Sequence, residues 1–389
     1  MIPLAVPNLA GNEARYLAEC VATGYVSSVG PFVRRFEAMV AAATGATDAV
    51  AVSSGTVGLH LALTCAGVGR DDLVILPALT FIASANAIAH CGATPWLMDV
   101  TTESWTLDPA ALARALATET APSGGAVVHR ASGRRVGAIL PVHTLGHPAD
   151  MDAILAVARR HNLPVVADGA ATLGATYKSR PPAQWGAALT VLSFNGNKTV
   201  TAGGGGALVG VDSALLDRAR HLSTTARVGQ DYDHDAIGYN YRMTNLQAAV
   251  GCAQMEQCDG FVAAKRRIAR RYDEAFADLP GVEPFPQAPW AESACWFSGL
   301  VLPPAQAAEA GRIRERLRGN RVDARPFWKP MHLQAPYRAA PRTELPVTES
   351  LWPRVLTLPC STDLTAGDQD LVIAEVRAAL ARPRAALAS

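Results

Sequence analysis

The most constraining feature of this sequence is the alternation, through its first two-thirds, of short apolar runs with segments of helical periodicity. The runs are six to eight residues long and bounded by polar residues or glycine. This pattern is typical of strands buried in a mostly parallel sheet, which binds ligands at the carboxyl ends of its strands. The predicted strands are AVAVSS (49–54), LVILPA (73–78), PWLMDV (95–100), VGAILPVH (136–143), LPVVAD (163–168), LTVLSF (189–194) and GALVGV (206–211).

The same pattern predicts an α/β fold in two parts. A large domain over residues 1–250 would carry the mostly parallel, seven-stranded sheet, and a smaller α+β domain over 251–389 would follow it. A long helical pattern begins near residue 243 and runs on through the basic stretch AAKRRIARRYDEAF, linking the two parts. Its apolar positions are Leu246, Ala249, Val250 and Ala253.

Two local patterns add detail to this outline. Residues 117–135 interrupt the alternation, and their glycine pairs and polar character indicate a hairpin or another surface excursion. The last helix is predicted to begin after Thr365 as its N-cap, with Asp368 in the capping-box position. Its buried face is expected to contain Val372, Val376, Ala379 and Leu380.

Composition excludes several classes of protein. Lys and Arg number 35 against 34 Asp and Glu, so no net field favours nucleic acid or an anionic membrane as a partner. The start MIPLAVPNLAGNEARY lacks the features of a signal peptide, and no run is long enough to span a bilayer, so a cytoplasmic location is expected. The seven cysteines are scattered without a CxxC pair, which indicates reduced thiols and no metal site.

A carboxylate lies at the end of one predicted strand, and a lysine lies shortly after another. Asp168 ends LPVVAD, where it is either a helix N-cap or salt-bridge partner, or an acceptor for a cationic ring nitrogen. Lys198 follows LTVLSF and precedes four glycines. Its alternatives are a surface loop lysine and a partly desolvated amine with a lowered pKa that forms an imine. The spacing of GNKT does not match a phosphate-binding loop, and no helix follows it.

An anion site and an aromatic side chain follow two other strands. In AVAVSSGTVGLHLAL the free N–H groups at the helix start, with the hydroxyls of Ser54 and Thr56, make either an ordinary N-cap or a phosphate site. Ser193 and Asn195 add donors. Phe81 is either a core residue or a platform for a planar ring. Together these features describe a phosphate, a basic ring nitrogen, a flat face and an aldehyde, and pyridoxal phosphate has all four.

The segments SSGT, TFIASANAI, DGAATLGATY, SFNGNK with its glycine run, and GYNYRMTNLQAA resemble, in this order, those of the DegT/DnrJ/StrS-type sugar aminotransferases. The resemblance covers nearly the whole chain and implies a fold-type I architecture, similar to aspartate aminotransferase, and a homodimer with shared active sites. It makes Lys198 the Schiff-base lysine, Asp168 the ring-nitrogen partner and Phe81 the stacking aromatic. The implied phosphate contacts are Gly55, Thr56, Ser193 and, from the partner subunit, Asn240.

Other segments resemble the legionaminic-acid and bacillosamine-pathway branch of that family. They are SFNGNK followed by GGGG, HDAIGYNYRMTN, and the opening NLAGNEARYLAECVATGYVSSVGPFVRRFE. The resemblance implies amination of C4 of a nucleotide-linked 4-keto-6-deoxy sugar, usually a 2-acetamido sugar, with glutamate as donor. Candidate substrate contacts, each with a structural role as its alternative, are Tyr25, Ser27, Ser28, His143 and His332.

The chain departs from the family at two positions. The family usually has an acidic residue before the aspartate and Gln, His or Glu three residues after it, whereas this chain has Ala167 and Ala171. The second position normally lies beside the ring hydroxyl of the cofactor. Two other functions remain open: amination of a different keto sugar or a cyclitol, and a catalytically silent, cofactor-binding regulatory protein.

Overall fold

The computed structural model describes residues 1–381. Its helices are α1 (Glu13–Thr23), α2 (Pro31–Thr44), α3 (Gly55–Cys65), α4 (Ile82–His90), α5 (Pro109–Glu119), α6 (Met151–Arg160), α7 (Ser213–Ser223), α8 (Asn245–Met255), α9 (Cys258–Phe276), α10 (Ala310–Gly319), α11 (Pro346–Leu351) and α12 (Ala366–Leu380). Its strands are β1 (Asp48–Val52), β2 (Leu73–Pro77), β3 (Thr94–Met98), β4 (Thr120–Ser123), β5 (Ala126–His129), β6 (Val136–Ile139), β7 (Val166–Asp168), β8 (Thr176–Tyr177), β9 (Leu189–Ser193), β10 (Gly206–Gly210), β11 (Arg227–Val228), β12 (Asp233–His234), β13 (Ala291–Glu292), β14 (Ser298–Val301) and β15 (Val355–Leu358).

All seven predicted strands of the large sheet are present, in the order β3-β2-β6-β7-β9-β10-β1. Strands β6 and β7 are joined by two parallel bridges, Ile139 with Val165 and Val142 with Asp168. Only β10 runs antiparallel to its neighbours. The carboxyl ends of the other six strands therefore lie along one edge of the sheet, and the predicted mostly parallel α/β fold is confirmed.

Helices cover both faces of the sheet because its strands are apolar on both sides. Helices α2 and α8 pack together on one face, where the Phe36 ring meets the Phe194 ring edge-on with centroids 4.9 Å apart. This contact leaves no space for a side chain at Gly251, whose Cβ would lie 2.5 Å from a Phe36 ring carbon. Helix α3 packs across β9 and β10 within a separate apolar cluster, so its N-terminus is held at the edge of the sheet.

Two local predictions are confirmed, and a third is wrong. Strands β4 and β5 form an antiparallel hairpin within 117–135. Helix α12 starts after Thr365, whose Oγ1 accepts a hydrogen bond from the Asp368 N–H at 3.1 Å. The single long helix predicted from about 243 is instead two helices, α8 and α9. The chain leaves helical geometry at Gln257 (φ −110°, ψ 4°), beside a Glu256 carboxylate that bonds to α1 and α2.

The C-terminal residues belong to a second core, in which β14, β15, α12 and part of α9 pack with Leu79, Val100, Trp105 and Leu145. Leu4 belongs to the same core, and Ile2 pairs with Val322, so the first residues of the chain pack against its C-terminal third. The division at residues 250 and 251 stays a prediction. Within residues 1–381, no helix has the length and apolar character to cross a membrane, and no three His, Cys, Asp or Glu side chains are grouped to hold a metal.

Candidate active site

A cavity of about 500 Å³ opens at the carboxyl edge of the sheet. It lies where the loops after β1, β2, β6, β7 and β9 converge, and residues from the C-terminal part of the chain close it on the other side. Parallel strands bring distant parts of a sequence together at one edge in this way. Nine of the predicted site residues line the cavity: Ser54, Gly55, Thr56, Phe81, His143, Asp168, Ser193, Asn195 and Lys198.

The N-terminus of α3 forms one wall of the cavity. Ser54 is its N-cap, and its Oγ accepts a hydrogen bond from the Val57 N–H at 3.3 Å, so the ordinary capping role does apply. The remaining N–H groups of the first turn have no partner within the helix and suit an anion. Glycine allows the close packing here, because a Cβ at Gly206 would lie 2.7 Å from the Gly55 nitrogen. The arrangement fits a phosphate group at the helix start.

Asp168 is a buried carboxylate with a hydrogen-bond donor on each oxygen. Ser84 Oγ donates to Oδ2 at 2.7 Å, and the Ala170 N–H donates to Oδ1 at 3.0 Å. Burial raises the pKa of Asp168, whereas these two donors and the charge of Lys198 oppose that rise. No ion pair to Asp168 occurs among the described residues, which removes the salt-bridge alternative. A buried carboxylate of this kind is suited to accept a hydrogen bond from a protonated ring nitrogen.

Lys198 follows β9 by a tight turn in which its own N–H donates to the Asn195 carbonyl at 2.9 Å. The side chain extends into the cavity, and its Nζ lies 3.4 Å from the centroid of the Trp296 ring. Burial lowers the pKa of this amine to about 7, with Asp168 raising it and Lys265 lowering it further. A lysine with a pKa near 7 is present in both forms near physiological pH, and its neutral form can attack a carbonyl carbon.

Phe81 lies at the N-cap position of α4 and leaves 55% of its surface exposed at the cavity wall. Its ring centroid is 6.0 Å from that of Trp328. The alternative of a core phenylalanine therefore does not apply. An exposed ring of this kind offers a flat apolar face to a planar ligand.

His143 reaches the cavity lining but is held by the protein. Its Nδ1 accepts a hydrogen bond from the Ala149 N–H at 3.0 Å, and its ring packs edge-on against Trp185. Burial lowers its pKa to about 3, so the ring is neutral. This geometry favours the structural role of His143 over contact with a substrate.

The other predicted residues lie away from the cavity of this chain. His332 is buried, with its Nε2 3.4 Å from a Glu349 carboxylate oxygen. The backbone carbonyls of Tyr25 and Ser27 bond to Asn245, and Ser28 follows them near the start of α8. Asn240 lies in the segment that pairs with Thr224. The roles assigned to these five residues stay predictions.

Four residues of the site were missed by the sequence analysis. Ser84 stands within TFIASANAI, and its place one turn after Phe81 on a helix was the available signal. Trp296, Trp328 and Arg325 come from the C-terminal part of the chain, where no strand-end pattern marked them. Ala171 also lines the cavity, so the position that carries a polar side chain elsewhere in the family here offers only a methyl group.

These residues fit pyridoxal phosphate. The start of α3 suits its phosphate, the buried Asp168 suits its ring nitrogen, and the exposed face of Phe81 suits its ring. Lys198 is the amine that would hold its aldehyde carbon. Asp168 is the one carboxylate among the described residues that line the cavity, and it would be used by the ring nitrogen. No second carboxylate there would repel the phosphate of the cofactor.

The lowered pKa of Lys198 predicts the pH dependence of cofactor binding. When cofactor-free protein is mixed with pyridoxal phosphate, the rate of covalent capture should rise with pH along a titration centred near 7, because only the neutral amine attacks. An unperturbed lysine would give a midpoint near 10.5. Stopped-flow absorbance over a range of pH measures this rate, and a midpoint above about 9 would contradict the geometry described here.

The profile of the DegT/DnrJ/EryC1/StrS aminotransferase family matches residues 7–377 of the chain. GDP-perosamine synthase of Caulobacter vibrioides (strain ATCC 19089 / CIP 103742 / CB 15) is 38% identical over 375 residues, which cover 96% of each chain. The pyridoxal phosphate-dependent aminotransferase EpsN of Bacillus subtilis (strain 168) is 35% identical over 377 residues, covering 96% of this chain and 94% of EpsN.

A solved structure agrees with these matches. The crystal structure of the aminotransferase TlmJ from Streptoalloteichus hindustanus has a TM-score of 0.87 at 29% identity, covering 98% of this chain and 99% of TlmJ. The predicted fold class and cofactor are thereby confirmed. The named relatives do not single out the legionaminic-acid and bacillosamine branch that the sequence motifs suggested.

Proposed function

The chain belongs to the DegT/DnrJ/EryC1/StrS aminotransferase family and is a pyridoxal-phosphate-dependent sugar aminotransferase, and from this premise we propose its substrates. The acceptor is a nucleotide-linked 4-keto-6-deoxy sugar, aminated at C4, and the amino donor is glutamate. The name of the Caulobacter relative, a GDP-perosamine synthase, supports GDP-linked sugars as candidates in addition to the 2-acetamido sugars that the motifs indicate. The single observation that carries the proposal is the meeting of Lys198, Asp168 and the α3 N-terminus at one cavity.

Each of these groups has a defined task in transamination. Pyridoxal phosphate, when bound, supplies an electron sink that makes a carbon–hydrogen bond of the donor acidic. Asp168 holds the proton on the ring nitrogen, on which that sink depends. Lys198 is the nearby amine able to take a proton at Nζ and return it, because its pKa of about 7 is close to the working pH.

The far side of the cavity suits a sugar and an anionic group. Trp328 provides an aromatic surface against which the apolar face of a sugar ring can pack. The Arg325 guanidinium lies at the cavity wall, 2.9 Å from Asp323, with 61% of its side chain exposed. A guanidinium in this place suits the diphosphate of a sugar nucleotide or a carboxylate of glutamate.

We further propose a homodimer in which Asn240 acts on the partner's cofactor site. Support comes from large apolar side chains that are exposed near the segment containing Asn240, since such patches mark interaction surfaces. Ile237 is 89% exposed, and Tyr232 is 85% exposed. Val26 and Val29, beside the predicted substrate contacts Tyr25, Ser27 and Ser28, are also exposed. A partner subunit covering both regions would bring these predicted contacts to a second cavity.

Mixed dimers test the shared site. Lys198→Ala and Asn240→Ala chains should each be nearly inactive alone. If Asn240 acts across the interface, a mixture of the two contains one site with both native residues, and activity should return to about a quarter of the wild-type value after random exchange. Size-exclusion chromatography with light scattering checks the dimer. A mixture that recovers no activity, although the chains exchange, would place Asn240 in the site of its own chain.

A panel of keto sugars tests the substrate proposal. The holoenzyme is incubated with glutamate and with GDP-, TDP- or UDP-linked 4-keto-6-deoxy sugars, with and without a 2-acetamido group, and amino-sugar products are identified by mass. Lys198→Ala serves as the matched control. At least one nucleotide-linked sugar should be aminated at C4. Amination of a cyclitol ketone and of none of these sugars would overturn the proposal in favour of that alternative.

A further inference from the structure

The contact between Lys198 and Trp296 joins the two parts of the chain inside the cavity. Lys198 lies in the loop after β9, whereas Trp296 lies just before β14. The lysine Nζ lies 3.4 Å from the centroid of the indole ring. This is well within the range of a cation–π interaction, and among the aromatic side chains Trp gives the strongest one.

The indole is fixed relative to the lysine. Its Nε1–H donates to the carbonyl of Asn197, the residue before Lys198, at 2.7 Å. The ring stacks on Phe297 with centroids 4.0 Å apart, and only 5% of Trp296 is exposed. A hydrogen bond to the neighbouring residue and a stacked ring behind it leave the indole little freedom to turn its face away from Nζ.

The backbone of Trp296 is fixed as well. Its carbonyl accepts a hydrogen bond at 3.0 Å from Nζ of Lys265, a buried lysine that also donates to the Cys360 carbonyl at 2.6 Å. A displacement of Trp296 would leave a buried ammonium short of an acceptor, which is costly. The indole is therefore held in place by the packing of the folded core.

The charged and titratable groups around Lys198 do not themselves contact its amine, which leaves the indole ring of Trp296 as the contacting group. Asp168 on β7 attracts the ammonium, Lys265 on α9 repels it, and the neutral His143 and the outlying Arg325 line the same cavity. Within the described part of the chain, no oxygen accepts a hydrogen bond from Lys198 Nζ. The negative face of the indole is therefore the group in direct contact with it.

We propose that the face of Trp296 is the resting place of the protonated Lys198 amine whenever that amine is not bonded to the cofactor. Trp296 is then a catalytic residue, because it touches the atom that reacts. It stabilises the ammonium after Nζ has taken a proton, and it holds that proton in the cavity and away from water until it is returned. The inference rests on the proposed role of Lys198 and adds an aromatic face that stabilises its protonated form.

The test is the pH dependence of pyridoxal phosphate capture by the full-length, cofactor-free chain, with folding of each variant checked by circular dichroism. Trp296→Leu keeps an apolar shield but removes the π face, so the midpoint should fall by about one pH unit. Trp296→Phe restores a weaker face and should recover part of that shift. Trp352→Leu is the matched control, since Trp352 is a partly buried tryptophan packed against the same C-terminal core that does not line the cavity, and its replacement should leave the midpoint unchanged.

A fluorinated tryptophan at position 296 covers the case in which Trp296→Leu does not fold. It keeps the shape of the indole and weakens its negative face, and the midpoint should again fall. An unchanged or raised midpoint in these variants would overturn the inference, because the ring would then only exclude water. If the wild-type chain itself captures no cofactor through Lys198, the proposed function fails instead, so the two failures are distinguishable.

Discussion

Replacement of Lys198 by alanine is expected to reduce transamination by about 10³-fold or more. The substitution removes both the amine that holds the cofactor aldehyde and the nearest group that can carry a proton at the reacting carbon. The cofactor should still bind through the α3 N-terminus and Asp168, since neither depends on the lysine. The absorption band of lysine-bound cofactor should be lost, while free cofactor remains detectable in the protein fraction.

The matched control is Lys178→Ala. Lys178 is an exposed lysine on the loop after β8, where its Nζ bonds to Asp152 at 2.7 Å, far from the cavity lining. It should leave both the band and the rate unchanged. Persistence of the lysine-bound band in Lys198→Ala would mean that another amine holds the cofactor, and the assignment of Lys198 would be wrong.

Asp168→Asn is expected to lower the rate by about 10²- to 10³-fold, because the amide has the same shape but cannot hold the proton on the ring nitrogen by charge. Ser84→Ala makes a smaller change to the same group, removing only the 2.7 Å donor to Oδ2. It should cost roughly tenfold, the size of one hydrogen bond to a charged partner. Asp152→Asn, at an exposed carboxylate, is the control.

The stability of the cofactor-free protein separates a chemical effect of Asp168→Asn from damage to the fold. Burial raises the pKa of Asp168 in the folded state, so the ionised carboxylate opposes folding at a pH above that pKa. Asparagine removes this cost, and the variant should unfold at the same or higher urea concentration than wild type near neutral pH. The difference should shrink as the pH falls towards the ordinary pKa of aspartate. A marked loss of stability would attribute the lower rate to misfolding.

The ends of strands could be predicted from this sequence because each is marked by residues that are adjacent in the chain. An apolar run that stops at Asp168, or at the serines before Gly55, is visible without any knowledge of the partner strands. Since parallel strands end at a common edge, the prediction that these side chains lie together needs only the fold class. The nine residues around the cavity follow this rule.

The interruption between α8 and α9 could not be predicted because its cause lies elsewhere in the chain. The apolar pattern continues across Glu256 and Gln257, and the contacts of Glu256 with Asn12, Tyr16 and Arg35 accompany the break. The role of His143 could not be predicted for the same reason. The sequence allows it to be a ligand or a structural residue, and its bond to Ala149 and its contact with Trp185 are tertiary facts.

The sequence by itself determined the α/β class and, through the resemblance of its motifs, the family, and it predicted Lys198 and Asp168 as the reactive pair. The class and the pair could be inferred because apolar periodicity and residue type at strand ends are properties of short segments. Only the tertiary structure decided what surrounds that pair. No strand-end pattern marks Trp296, and the place of Ser84 one turn after Phe81 does not identify its partner. Their distances to Nζ and to the carboxylate exist only once the sheet and the C-terminal core have packed. The protonation of an amine depends on what lies within a few ångströms of it, and that is decided by packing between segments far apart in the chain.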